Sequence, residues 1–147
     1  MNNDRFLVRG KTAKGNWFYG AYHKHLPYTP ASLTDGKDEE KIEKDYKHII
    51  IQDSFSDWNM PRGIVCIEVV PETVGMCTGK KDKHNCLIFE NDRLRITLPI
   101  KNIEKPIIFE GIVKYMESSF RLCCSRNENP RIDDFSQDCV FEVLENK

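Results

Sequence analysis

Six cysteines and four histidines are the residues of this 147-residue chain best equipped for chemistry. Cys66, Cys77, Cys86, Cys123, Cys124 and Cys139 include no CxxC pair, and the adjacent Cys123-Cys124 is a poor spacing for chelating zinc. His23, His25, His48 and His84 stand at no ligand spacing from the cysteines, so neither a metal nor a cofactor is expected. An even cysteine count signals a disulfide framework in short secreted chains. Here no Asn-x-Ser/Thr sequon occurs, and the opening MNNDRFLVRG lacks the apolar core of a signal peptide. The expectation is a cytoplasmic protein with reduced, mostly buried thiols.

Catalytic motifs are equally sparse. Thr78-Gly79-Lys80-Lys81 has the composition of a phosphate-binding turn, but it lacks upstream glycines and a following helix. No HExxH, GxSxG or dinucleotide fingerprint is present. The acids cluster in loops, where solvation is their default role, so no enzymatic activity is expected. Lys80, Lys81, Lys83, Arg93 and Arg95 outnumber Asp82, Glu90 and Asp92 across residues 78–95. Lysines and arginines neutralise phosphates, and aromatics such as Trp17, Phe18, Tyr19 and Trp58 stack on bases. A nucleic-acid-binding module is therefore one reading. Its weakness is the whole-chain balance of 22 Lys+Arg against 23 Asp+Glu, which provides no bulk attractive field. The simpler reading makes the aromatics core anchors and the lysines the decoration of a hairpin tip.

Trp58-Asn59-Met60-Pro61 reads as a structural corner. Pro61 disfavours helix at Met60 and sets up an extended entry to the next strand. Trp58 is expected to cap one end of the N-terminal core, with Asp57 or Asn59 satisfying turn amides. The sharper alternative gives Trp58 a stacking role on a binding surface.

The elements that position these residues are mostly short strands. Phe6 and Val8 alternate with Arg5, Leu7 and Arg9, and the turn-rich GKTAKGN leads to Trp17-Phe18-Tyr19, a hairpin pattern. Residues 27–47 hold Pro27, Pro30 and a charge run, and read as an exposed insertion with a helical turn or two. His48–Gln52 is β-branched and favours a strand. Ile64–Val70 reads as a buried strand. Further strands are expected at Leu87–Glu90, Arg93–Leu98, Ile107–Tyr115, Ser119–Cys123 and Val140–Leu144, with a polar loop over 125–138. In the Ile107 strand, Ile108, Gly111 and Val113 mark the half-buried face. Asp82 is placed to close an Asx turn over Lys83-His84-Asn85. No apolar run is longer than that of Ile64-Val65-Cys66-Ile67, which is far too short to span a bilayer.

Residues 71–94, PETVGMCTGKKDKHNCLIFENDRL, resemble the signature segment of the YopX protein family, found mainly in bacteriophages and prophages. Thr78, Gly79, Lys81, Asp82, Lys83, Ile88, Glu90 and Asp92 stand where that pattern expects them. RFLVRGKTAKGNWFYG is similar to the family's opening, and SDWNMPRGIVCIEVVPETVG to the middle segment of Bacteroides-type members. Glu110-Gly111-Ile112-Val113 and the final VFEVLENK resemble its closing strands. Asn85 and Asn91 replace family glycines, a change that asparagine tolerates at positive φ. Lys80 replaces a leucine. The resemblance implies a mostly β fold with little helix: an N-terminal β region, 1–72, followed by an SH3-like barrel or roll, 73–147. It implies no activity, since the family's function is unknown. The expectation is a phage-encoded accessory protein in the bacterial cytoplasm that binds a protein partner or a second copy of itself. Lys80, Lys81, Lys83, Arg93, Arg95 and Trp58 are its candidate surface.

Overall fold

The computed structural model describes residues 3–27, 43–56, 58–99, 101, 104–125 and 128–145. The fold is mostly β with little helix, as expected. Its strands are β1 (Val8–Lys11), β2 (Trp17–His25), β3 (Lys47–Asp53), β4 (Ile64–Glu68), β5 (Gly75–Lys81), β6 (Leu87–Phe89), β7 (Arg93–Leu98), β8 (Ile107–Met116), β9 (Ser119–Cys124) and β10 (Val140–Glu145). They belong to two compact units, one of residues 7–74 and one of residues 75–147 with the first six. Asn3–Phe6 form a 3-10 turn where sequence alternation predicts strand, so β1 begins only at Val8. Residues 43–45 are helical and feed β3; residues 28–42 of the charged insertion lie outside the described residues.

In the first unit, β1 to β4 form an antiparallel meander in the order β4-β3-β2-β1. The chain leaving β4 turns back to β1: Val70 N–H donates to the Lys11 carbonyl (2.8 Å), and Lys11 N–H donates to Thr73 Oγ1 (2.8 Å). That return curls the sheet over Ile50 and Val69, both buried. On β1 and β2, the Arg9 guanidinium lies 4.6 Å from the Trp17 ring centroid and Lys11 Nζ lies 5.6 Å from it, a cation–π arrangement. Trp17 and Phe18 are half-buried, whereas Tyr19 is exposed.

The second unit holds the larger core. A four-stranded antiparallel sheet, β10-β7-β8-β9, packs Leu94, Ile96, Val113 and Leu122 with Ile88 from β6 and Ile132 from a 3-10 turn, Ile132–Asp134. Phe135 joins them by edge-on contacts with Phe109 (5.5 Å) and Phe141 (6.3 Å). On β8 the inward positions are Phe109, Gly111 and Val113, while Ile108 is exposed, one residue out of phase with the expected face. Gly111 pairs with both Leu94 and Cys124. A Cβ there would sit 2.2 Å from the Cys123 carbonyl oxygen, so only glycine lets β9 approach so closely.

The expected SH3-like barrel is not closed. Closure needs ladder bonds between the first and last strands; instead the sheet is open and its outer edges are covered by short stretches of the same chain. Lys83 N–H donates to the Phe141 carbonyl of β10, and Leu122 N–H of β9 donates to that of Pro130. β5 and β6 pair as a hairpin with a register shift between Cys77 and Lys81. Gly79 sits in that bulge at φ +78°, a conformation disfavoured for residues with a Cβ.

The β6–β7 turn is locked by a carboxylate. Asp92, 0% exposed, accepts the Phe89 N–H through Oδ2 (2.8 Å). Its carbonyl accepts the Val113 N–H (2.9 Å), and Asn91 N–H donates to the Val113 carbonyl (2.8 Å). Removing one partner of a buried hydrogen bond leaves the other desolvated and unpaired. Asp92→Ala is expected to lose about 1–3 kcal/mol in urea unfolding, and Asp92→Asn less because it keeps an acceptor. Gly111→Ala is expected to lose a similar amount, about 1–3 kcal/mol, by overpacking against backbone. A Gly111→Ala protein as stable as the wild type would show that β8 and β9 have room to separate.

Candidate functional site

The basic residues singled out by sequence do not form a bare cationic face. Arg93 and Arg95 leave β7 on the side opposite the core, and Glu110 of β8 receives both. Arg93 Nη2 lies 2.6 Å from Glu110 Oε1 and Arg95 Nη2 3.2 Å from Oε2. Arg95 Nη1 continues to Glu142 of β10 at 3.8 Å, and Glu142 receives Lys83 Nζ at 2.7 Å. Lys80 pairs separately with Asp133 at 3.2 Å. Lys81 is exposed and makes no ion pair among the described residues. The structure thus joins Lys83, Arg93 and Arg95 into one network and leaves Lys80 and Lys81 outside it. Five bases against three acids in the segment become five against six once Asp133, Glu110 and Glu142 are counted.

The turn preceding this network is built as the Asx pattern predicts. Asp82 Oδ1 accepts the N–H groups of His84 and Cys86, both at 2.9 Å, and Asn85 takes φ +64°. Asn91 takes φ +71° in the next turn. Thr78-Gly79-Lys80-Lys81 lies in the β5 bulge with Thr78 Oγ1 donating to the Ile88 carbonyl (2.8 Å), and strand rather than helix contains it.

Trp58 overturns the core-anchor reading. It is 95% exposed, on the loop joining β3 to β4; Phe55 (94%) and Met60 (64%) of the same loop and Ile64 (72%) at the start of β4 are exposed as well. That loop is ordered by its own backbone. Ser54 N–H donates to the Gly63 carbonyl (2.8 Å), Gly63 N–H to Ser54 Oγ (3.1 Å), and Ser56 Oγ to the Met60 carbonyl (3.1 Å). Asn59 turns the chain at φ +70°; Asp57 lies outside the described residues. These bonds close the base of the loop, and Phe55, Trp58 and Met60 stand exposed beyond it. Phe55 and Met60 carried no distinguishing mark in the sequence, because nothing there separates an aromatic turned inward from one turned out.

Elsewhere in the first unit, a cleft of about 670 Å³ is lined by Tyr46, His48, Val69 and Pro71 together with charged Lys47 and Glu68. Tyr22 Oη lies 2.6 Å from His48 Nδ1. Among the described residues no three His, Cys, Asp or Glu side chains gather as metal ligands. All six cysteines are free thiols, but only Cys77 is fully buried, and Cys66 and Cys86 are exposed. The expectation of mostly buried thiols fails because three of the cysteines, Cys66, Cys86 and Cys123, lie on outward strand positions or at a hairpin tip. Burial pushes the Cys124 thiol above its ordinary range, away from thiolate reactivity.

The charge network has a titration signature. Hydrogen bonds from Arg93 and then Arg95 hold the Glu110 carboxyl below its ordinary 4.5, and the bond from Lys83 does the same for Glu142. A carboxylate whose pKa is lower folded than unfolded stabilises the fold above the unfolded value, and that contribution vanishes as pH falls through the folded one. The wild-type urea midpoint is expected to drop on acidification below about 4.5, and Glu110→Gln to flatten that drop. Identical acid limbs would show that the ion pairs contribute nothing to stability.

With this geometry in hand, comparison with family models, with curated proteins and with solved structures finds no match to the chain in any of the three.

Proposed function

We propose that this chain is a phage- or prophage-encoded accessory protein of the YopX family, working in the bacterial cytoplasm without catalysis, by protein contact through the tip of its β3–β4 hairpin. The observation that carries this reading is Trp58, 95% exposed on the same internally bonded loop as an equally exposed Phe55. Contiguous apolar surface in water is unfavourable and marks contact sites, and tryptophan is the residue most enriched among binding hot spots. A loop already closed by its own hydrogen bonds loses less conformational entropy when it docks. The family assignment is supported by the matched residues of the 78–92 segment and by Asn85 and Asn91, which adopt the positive φ that the family's glycines permit. Nucleic-acid binding through Lys80, Lys81, Lys83, Arg93 and Arg95 is the weaker reading, because four of these five bases already face carboxylates of their own chain.

The test separates structure from contact. Trp58→Ala is expected to keep its melting temperature within about 3 °C, as exposed substitutions do. In affinity purification from host cells carrying the prophage, the same variant is expected to lose a protein that the wild type retains. A collapse of thermal stability in Trp58→Ala, or an unchanged set of retained proteins, would overturn the proposal.

A further inference from the structure

The outer strands of the second unit's sheet are both covered by their own chain. β10 receives Lys83 N–H at Phe141, and Asp82 Oδ2 lies 3.5 Å from the Val143 nitrogen. β9 is covered by residues 128–131, through bonds from Leu122 to Pro130 and from Cys124 to Glu128 and a bridge between Arg121 and Arg131. β4, last in the order β4-β3-β2-β1, is met on that side only past its end, where Val70 N–H donates to the Lys11 carbonyl of β1; among the described residues no backbone bond reaches the outward groups of Ile64–Glu68. It has few of the usual edge protections: Ile64-Val65-Cys66-Ile67 holds no charge, no proline and no bulge, and Glu68 at its end is the strand's one charged residue.

The hydrogen-bond phase of β4 fixes what such an edge can accept. Val69 N–H donates to the His48 carbonyl, and Ser54 N–H to that of Gly63. With the register Ile50↔Ile67 and Gln52↔Val65, alternation turns the backbone groups of residues 63, 65, 67 and 69 toward β3. The N–H and C=O groups of Ile64, Cys66 and Glu68 therefore point outward.

We infer that β4 pairs with β4 of a second copy of this chain, antiparallel, about a two-fold axis at Cys66. That register is the one that joins all outward groups of the strand: Cys66 with Cys66 of the second copy, and Ile64 with its Glu68, reciprocally. Shifting the axis to Val65 or Ile67 leaves one outward residue of each strand unpaired. Side chains agree with the choice. Val65 comes to face Ile67 of the second copy, an apolar pair on each side of the axis. The contact is isologous and closes as a dimer, which distinguishes it from open-ended strand stacking.

The inference goes beyond the tip reading, and the two fail separately: Trp58→Ala should leave the dimer intact. The test uses the full chain. Under reducing conditions, light scattering is expected to give a concentration-dependent dimer mass. Hydrogen-bonded antiparallel pairs hold their Cα atoms about 5.5 Å apart, within disulfide range. Mild oxidation with diamide is therefore expected to trap the dimer as a Cys66–Cys66 disulfide, mapped by peptide mass spectrometry, and Cys66→Ser to dimerise without trapping. Cys66→Pro removes an outward N–H and leaves the β3 ladder bonds in place, so it should be monomeric with an unchanged circular dichroism spectrum. Should proline disturb the fold, Cys66→Lys sets two ammonium groups face to face and serves the same purpose. A wild-type monomer at every soluble concentration, a natively folded Cys66→Lys dimer, or trapping through Cys86 alone would overturn the inference.

Discussion

The second unit depends on one buried carboxylate. Asp92 stands at the junction of β6, β7 and β8, with its side chain on the Phe89 amide and its backbone on Val113. Ile88, Leu94 and Val113, the neighbours of that junction, are all fully buried. A polar side chain is tolerated there because Oδ2 meets a fixed donor, the Phe89 amide, so its burial does not leave it unpaired. The turn must also reverse the chain in very few residues, which is why Asn91 takes a positive φ beside it. Asp92 would look catalytic in a bare list of acids; its surroundings make it structural.

The same unit shows why local charge counts mislead. Within residues 78–95 the bases are in excess, yet their partners Glu110, Asp133 and Glu142 come from β8, the 132–134 turn and β10. Strand alternation brings Arg93 and Arg95 to one face, and the antiparallel register sets Glu110 opposite Arg95. Phosphate binding relies on cations free to neutralise it, and here the sheet has already assigned most of them.

How much could be read from the chain follows from where each signal lives. β3, β7 and β9 are local β-branched or alternating runs, so composition locates them. β5 is missed because Gly75, Gly79 and two lysines read as a turn. It forms because a Gly79 bulge and the Thr78 hydroxyl, bonded to the Ile88 carbonyl, tolerate that sequence in a strand. Ile132 disappears into a polar loop because one apolar residue has no periodicity; only the fold reveals that it completes the core. The Asx turn at Asp82 and the two asparagine turns are legible, since their chemistry is contained in four residues. Trp58 is legible as important and illegible as to its direction.

The two units divide their tasks by how much each can bury. The second gathers six fully buried apolar residues into one core. In the first, Ile50 and Val69 are the described apolar residues that reach full burial, although β2 is nine residues long and β3 carries three consecutive isoleucines. A thin curled sheet cannot hide everything that strand formation demands, because β-branched residues that favour the extended chain point to both faces. Ile64, Cys66 and the loop at Trp58 are the surplus, all of it on the β3–β4 hairpin. The hairpin is held in shape by backbone bonds that require no side-chain burial, which leaves its apolar side chains available for contact. In this protein, stability is invested where the carboxylate of Asp92 and its core are, and the surfaces with most to gain from a partner lie where burial is scarcest.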